Sequence, residues 1–166
     1  LTQGGRTLRL QGRIDRIDVG HAGSQTIFNV VDYKSSAAPI SQDKAADGRA
    51  IQLELYALAA QKLLLADHNA MPLQGGYWYV KQDGFNVWRE FATTAEGAVA
   101  EAEDWSLRSQ ELLQHVFAIV DHIRSGYFPV ASLDERCTSH CAFKTTCRIN
   151  QVRSLEKTWT PPELQN

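Results

Sequence analysis

The chain has 166 residues, of which 43% are hydrophobic and 22% charged, with a formal net charge of −2. That length and apolar content suit one domain with a single substantial core. No apolar run is long enough to span a bilayer, since residues 56–66 are interrupted by Gln61 and Lys62, and so small a net charge excludes a general polyanion binder on overall charge alone.

The charge is uneven along the chain. Arg6, Arg9, Arg13 and Arg16 crowd the start, Arg136, Lys144, Arg148, Arg153 and Lys157 gather near the end, and Glu90, Glu96, Glu101, Glu103 and Asp104 lie between. Two readings stay open: a local basic track for a nucleic-acid strand, or ordinary solvated faces. No signal-peptide pattern is present, and a first residue of Leu1 rather than Met is expected of a fragment of a longer polypeptide.

In chain order, Leu8, Leu10, Gly12 and Ile14 alternate with polar residues, which predicts a strand over residues 8–18 with one buried face. Residues 21–25, beside Gly20 and containing Gly23, are turn-rich and predict a hairpin into residues 27–34. That second run is rich in β-branched and aromatic residues and reads as a mostly buried strand. In such a hairpin Asp15 and Asp32 fall at similar heights, and converging carboxylates repel unless a cation lies between them. Asp32 and Lys34 (i, i+2) share a face with Phe28 and Val30. Burying a carboxylate and an ammonium there costs desolvation energy, so stability alone is a poor reason for the pair. It suits metal-assisted phosphodiester hydrolysis, the carboxylate holding a divalent cation and the lysine facing charge on phosphate or water.

Residues 37–48 read as an exposed loop around Pro39. Residues 49–66 predict a helix with Ile51, Leu55, Leu58, Ala59 and Leu63 at helical spacing and Gln52 and Tyr56 on one side. Residues 75–81 and 85–91 predict a second hairpin around Asp83 and Gly84, its aromatics building core and sheet surface; base stacking on Tyr77, Trp78 or Tyr79 is a lesser expectation. A long helix is predicted over residues 95–125, stopping at Gly126 with Pro129 beyond. All three cysteines, Cys137, Cys141 and Cys147, cluster with Cys-x3-Cys-x5-Cys spacing, which in a reducing compartment points to metal rather than disulfides.

The stretch Gly12-Arg13-Ile14-Asp15-Arg16-Ile17-Asp18, then Asp32-Tyr33-Lys34-Ser35, then Gln52-Leu53-Glu54-Leu55-Tyr56 resembles the ordered motifs of the PD-(D/E)xK nucleases, in particular their RecB/AddB-type exonuclease branch. The resemblance runs from Leu8 to Arg148. It implies an α/β, restriction-endonuclease-like fold: a mixed central sheet of about four strands flanked by helices. The expected division is a nuclease core over residues 1–130, lacking the family's N-terminal helix, and a Cys-rich C-terminal tail over residues 131–166. It also implies that Asp15, Asp32 and the Tyr33 backbone carbonyl bind Mg²⁺ or Mn²⁺, that Lys34 steadies the hydroxide or the developing negative charge, and that Gln52 and Tyr56 contact substrate or support the site. Asp18 is expected to pair with an arginine or buttress the ligands.

Family members with a similar tail carry a C-x2-C-x5-C motif that, with a distant cysteine, holds a [4Fe–4S] cluster. Here the first gap is longer, and a fourth cysteine would have to precede Leu1. Zinc bound by the three cysteines with His140, or thiols without metal, are the alternatives.

The function implied is that of a metal-dependent DNA nuclease, a RecB-like exonuclease domain acting on a single-stranded DNA end. It would work beside a helicase domain or subunit in bacterial double-strand-break repair and recombination, in the cytoplasm and away from membranes. The rival is a catalytically inactive nuclease-fold module for DNA binding or scaffolding. Metal-dependent cleavage of single-stranded DNA separates the two.

Overall fold

The computed structural model describes residues 1–35, 50–81, 84–102, 105–128 and 136–150. The loop expected at residues 37–48, Asp83, Pro129 and the tail beyond residue 150 lie outside them. Residues 1–116 and 117–166 form two compact units.

In the first unit a small ribbon, β1 (Thr2–Gln3) with β2 (Arg6–Thr7), precedes a four-stranded mixed sheet. The sheet order is β3 (Arg16–Ala22), β4 (Gln25–Lys34), β5 (Met71–Tyr79) and β6 (Gly84–Glu90). The expected α/β fold with a central sheet of about four strands is therefore observed. β3 and β4 form the hairpin read from the sequence, closed at Gly23 (φ +60°), where a side chain on Cβ would also strike the Gly97 carbonyl. The first strand was expected too early: residues 8–14 stay outside the ladder, although Leu8 and Ile14 pack on the core. Alternation is met by any extended segment with one side against apolar surface, paired or not.

β4 and β5 run parallel, joined through α1 (Gln52–Ala59), a π-helical turn (Ala60–Leu64) and a 3₁₀ turn (Ala66–His68). This is the helix read over residues 49–66, but its end is wound differently. The wider π turn rotates later side chains away from the α-helical stripe, so Leu63, expected inside, is 79% exposed. Phe28 and Val30 of β4, Leu53, Ala57 and Leu58 of α1, and Tyr77 and Tyr79 of β5 form the core. Gly76 lets β6 approach, for a Cβ there would lie 2.4 Å from the Asn86 carbonyl oxygen and from the Phe85 ring.

The long helix over residues 95–125 needs correction. Its first part is a hairpin of β7 (Ala92–Ala95) and β8 (Ala98–Glu101), turned at Glu96 and Gly97 with positive φ at both. Alanine and glutamate favour helix intrinsically, but a two-residue turn with glycine second fixes the hairpin geometry. The helix itself, α2, spans Trp105–Arg124, and Trp105, Leu112 and Val116 join the core.

In the second unit α2 ends as expected at Gly126 (φ +72°). The Tyr127 N–H reaches the His122 carbonyl and the Gly126 N–H the Ile123 carbonyl, closing a Schellman cap. Two short helical turns follow, α3 (Cys137–His140) and α4 (Lys144–Cys147). Among the described residues, no helix is long and apolar enough to cross a membrane.

Candidate active site

The apolar run of β4 ends in charge. Asp32 is only 4% exposed, and its Oδ2 lies 2.5 Å from Lys34 Nζ. That oxygen is compensated by the Lys34 ammonium as an ion pair and has no other donor among the described residues. The other oxygen, Oδ1, accepts a hydrogen bond from Gln52 Nε2 at 2.9 Å, and the same Gln52 nitrogen donates to the Tyr56 hydroxyl at 2.9 Å. One turn of α1 separates Gln52 from Tyr56, which is why both face the strand end.

Asp15 immediately precedes β3. Arg16 pairs with Val31, and continuing that register by one residue sets Asp15 opposite Asp32. Its Oδ2 accepts the Tyr33 N–H at 3.1 Å. Asp15, Asp32, the Tyr33 backbone, Lys34, Gln52 and Tyr56 thus meet at one end of the sheet.

Beneath them lies an aromatic floor. Tyr77 pairs with Asp32 and Tyr79 with Lys34 across the parallel ladder, and both tyrosines are buried, which removes them as base-stacking surfaces. Burial, reinforced by the charges of Asp32, Tyr79 and Glu54, pushes the Tyr77 phenol up to about 12. The other face of the sheet carries a separate cluster. Arg16 Nε bonds Asp18 Oδ1 at 2.7 Å; Arg16 Nη1 lies 3.4 Å from the Tyr33 hydroxyl and its Cζ 5.4 Å from the Trp78 ring centre. The hydrogen bond to Asp18, then that to Tyr33, holds the Arg16 guanidinium above its ordinary value.

Glu54 is a residue whose role sequence reasoning missed. It is wholly buried, 3.1 Å from Arg89 Nε and 3.1 Å from Arg108 Nε, while Arg108 Nη1 reaches Glu111 at 3.1 Å. Desolvation is the largest single influence on Arg108 and opposes its charge, but the hydrogen bonds and charges of Glu54 and Glu111 together outweigh it and raise the guanidinium above its usual value. A glutamate between Leu53 and Leu55, in a helix whose apolar residues recur on its own side, was the available signal.

In the second unit Cys137, Cys141 and Cys147 are partly exposed thiols. Cys141 Sγ accepts the Phe143 N–H at 3.4 Å. Among the described residues, no three His, Cys, Asp or Glu side chains form a set able to hold a metal ion. The three sulfurs are therefore not gathered as cluster ligands require.

A family model described as the PD-(D/E)XK nuclease superfamily matches residues 1–148. Relatives whose names describe one component of an ATP-dependent helicase/deoxyribonuclease are similar over part of the chain. The one from Exiguobacterium sibiricum is 37% identical over 79 residues, covering 46% of this chain and 7% of the relative. That from Moorella thermoacetica is 43% identical over 56 residues, 34% of this chain and 5% of the relative. That from Alkaliphilus oremlandii is 32% identical over 101 residues, 61% of this chain and 8% of the relative. The chain thus spans less than a tenth of the length of these relatives.

Proposed function

The chain belongs to the PD-(D/E)XK nuclease superfamily, and on that premise we propose that it is a metal-dependent deoxyribonuclease domain hydrolysing phosphodiester bonds as an exonuclease. The observation that carries this reading is Asp32: a buried carboxylate with one oxygen fixed by Gln52 and the other paired only with the Lys34 ammonium among the described residues. A hard cation suits such an oxygen, and Asp15 and the Tyr33 carbonyl supply further hard donors. Asp15, Asp32 and Tyr33 would therefore hold Mg²⁺ or Mn²⁺. Such an ion, when bound, acidifies its water and polarises the phosphate.

The protein's own groups do the rest. Gln52 fixes the roll of the Asp32 carboxylate, and Tyr56 takes the second amide proton of Gln52. Burial keeps bulk water from competing for Asp32. Lys34 offers positive charge where negative charge grows during attack. DNA as substrate and a helicase partner are supported by the names of the relatives; a single-stranded end as the entry point, a role in bacterial double-strand-break repair and a cytoplasmic setting rest on the motif resemblance. A [4Fe–4S] cluster on Cys137, Cys141 and Cys147 rests on the resemblance of the tail motif, finds no gathered ligand set among the described residues, and takes no part in the proposed cleavage.

The test uses the full-length polypeptide carrying this chain, with end-labelled single-stranded DNA and Mg²⁺. Wild-type protein should cleave. Asp32→Ala should lose cleavage yet keep DNA binding, since removing a carboxylate makes the site less negative. Binding without cleavage in the wild type would favour the scaffolding alternative, and undiminished cleavage in the variant would refute the site.

A further inference from the structure

Lys34 is the last residue of β4, and its long side chain has many rotamers open to it. Its ammonium is nevertheless beside Asp32, and the second group that meets it comes from the neighbouring strand. Lys34 Nζ lies 5.3 Å from the centre of the Tyr77 ring. Tyr77 stands directly across the parallel ladder from Asp32 and is 3% exposed. Its ring meets Trp88 edge-on, centroids 6.1 Å apart at 71°, and Tyr79 at a tilt, 6.3 Å apart at 54°. The platform under the ammonium is therefore rigid, while the ammonium's own tether is not.

We propose that Tyr77 is the positioning residue for Lys34: its ring face and the Asp32 carboxylate confine the ammonium between them, so that it meets the phosphate in one place. The inference rests on the nuclease reading of this site. A purely packing role for Tyr77 would need only volume. The cation over the ring is the added feature: the Lys34 side chain is partly shielded from water, at 27% exposure, and partial desolvation strengthens the attraction of a cation to the negative face of an aromatic ring. The contact of Arg16 with Trp78 is different, because Arg16 is committed to Asp18 on the opposite face.

The experiment compares wild type, Tyr77→Phe, Tyr77→Leu, Lys34→Ala and the Tyr77→Leu/Lys34→Ala double variant in the full-length polypeptide. Mg²⁺-dependent cleavage of single-stranded DNA is read as kcat and KM, beside the thermal midpoint. Tyr77→Phe keeps the ring face and should stay within about twofold of wild-type kcat. Tyr77→Leu should lower kcat by about tenfold with KM unchanged. On the Lys34→Ala background the same change should cost less than about twofold, because the ammonium it positions is already gone. Full activity in Tyr77→Leu, or an equal loss on both backgrounds, would overturn the proposal. Should the leucine variant fail to fold, Tyr77→Met, whose flexible side chain fills irregular space, carries the same expectations and the same refutations. Loss of cleavage in Lys34→Ala with no effect of Tyr77→Leu would defeat this inference alone. A wild type that does not cleave would remove the nuclease reading and this inference with it.

Discussion

Gln52 and Asp32 are 20 positions apart in sequence and 2.9 Å apart in space, the amide of a helix side chain donating to the carboxylate at the end of β4. A buried carboxylate oxygen left without that donor would bear the cost of its lost hydration. Gln52→Leu is expected to lower cleavage by about 10- to 100-fold and to raise the Mg²⁺ concentration needed for half-maximal rate, because the group that orients the ligand is gone. Tyr56→Phe, which removes only the second acceptor of Gln52, should have a much smaller effect. A metal titration of activity on both variants checks the order.

The buried phenol of Tyr77 makes stability depend on alkaline pH. Its folded value is raised from 10.0 to about 12, so the contribution is fully present below pH 10. As pH rises from there the unfolded chain releases the proton first, which favours unfolding. Between pH 10 and 12 the loss should be on the order of 2–3 kcal/mol. Denaturant midpoints measured across that range should fall more steeply for wild type than for Tyr77→Phe.

Glu54 is shared as a counter-ion by two arginines, Arg89 and Arg108, and is itself wholly buried. Glu54→Ala leaves Arg89 and Arg108 facing a void without their shared counter-charge, and should destabilise the fold by about 3–5 kcal/mol. Urea unfolding of the variant measures it. A change below about 1 kcal/mol would show that the arginines find other partners, a cost typical of surface pairs.

Gly76→Ala should destabilise by about 1–3 kcal/mol, because a Cβ there meets backbone as well as a ring. Thermal unfolding reports the loss. Ala at Gly20, where nothing lies within 4 Å of a Cβ, is the matched control and should change little.

Much of this was legible in the sequence for physical reasons. The run ending in Asp32 could be read because β-branched residues in a buried strand leave little choice of face, and the Gln52/Tyr56 pair because helical spacing puts i and i+4 together. The meeting of these residues with Asp15 followed from a hairpin whose turn carries Gly23. Four features were not legible. Residues 8–14 have the alternation of a strand but no partner in the ladder. Glu96 and Gly97 turn a chain whose alanines and glutamates favour helix. The π turn at Ala60–Leu64 shifts Leu63 outward, and no residue type announces it. The salt cluster of Glu54 was hidden because its arginines come from β6 and α2, elements whose packing against α1 is a tertiary fact.

The parallel pairing of β4 with β5 has a consequence for the order in which the site is made. The β3–β4 hairpin closes over a two-residue turn, a local event that brings Asp15 toward Asp32 early. The strand carrying Tyr77 can join only after the crossover through α1 has formed, and long-range parallel pairing is slow. The repulsion between the two acids is thus set by the local hairpin, before Tyr77 can cover Asp32. Desolvation of Asp32 therefore waits on β5, the strand that pairs across it from beyond the crossover.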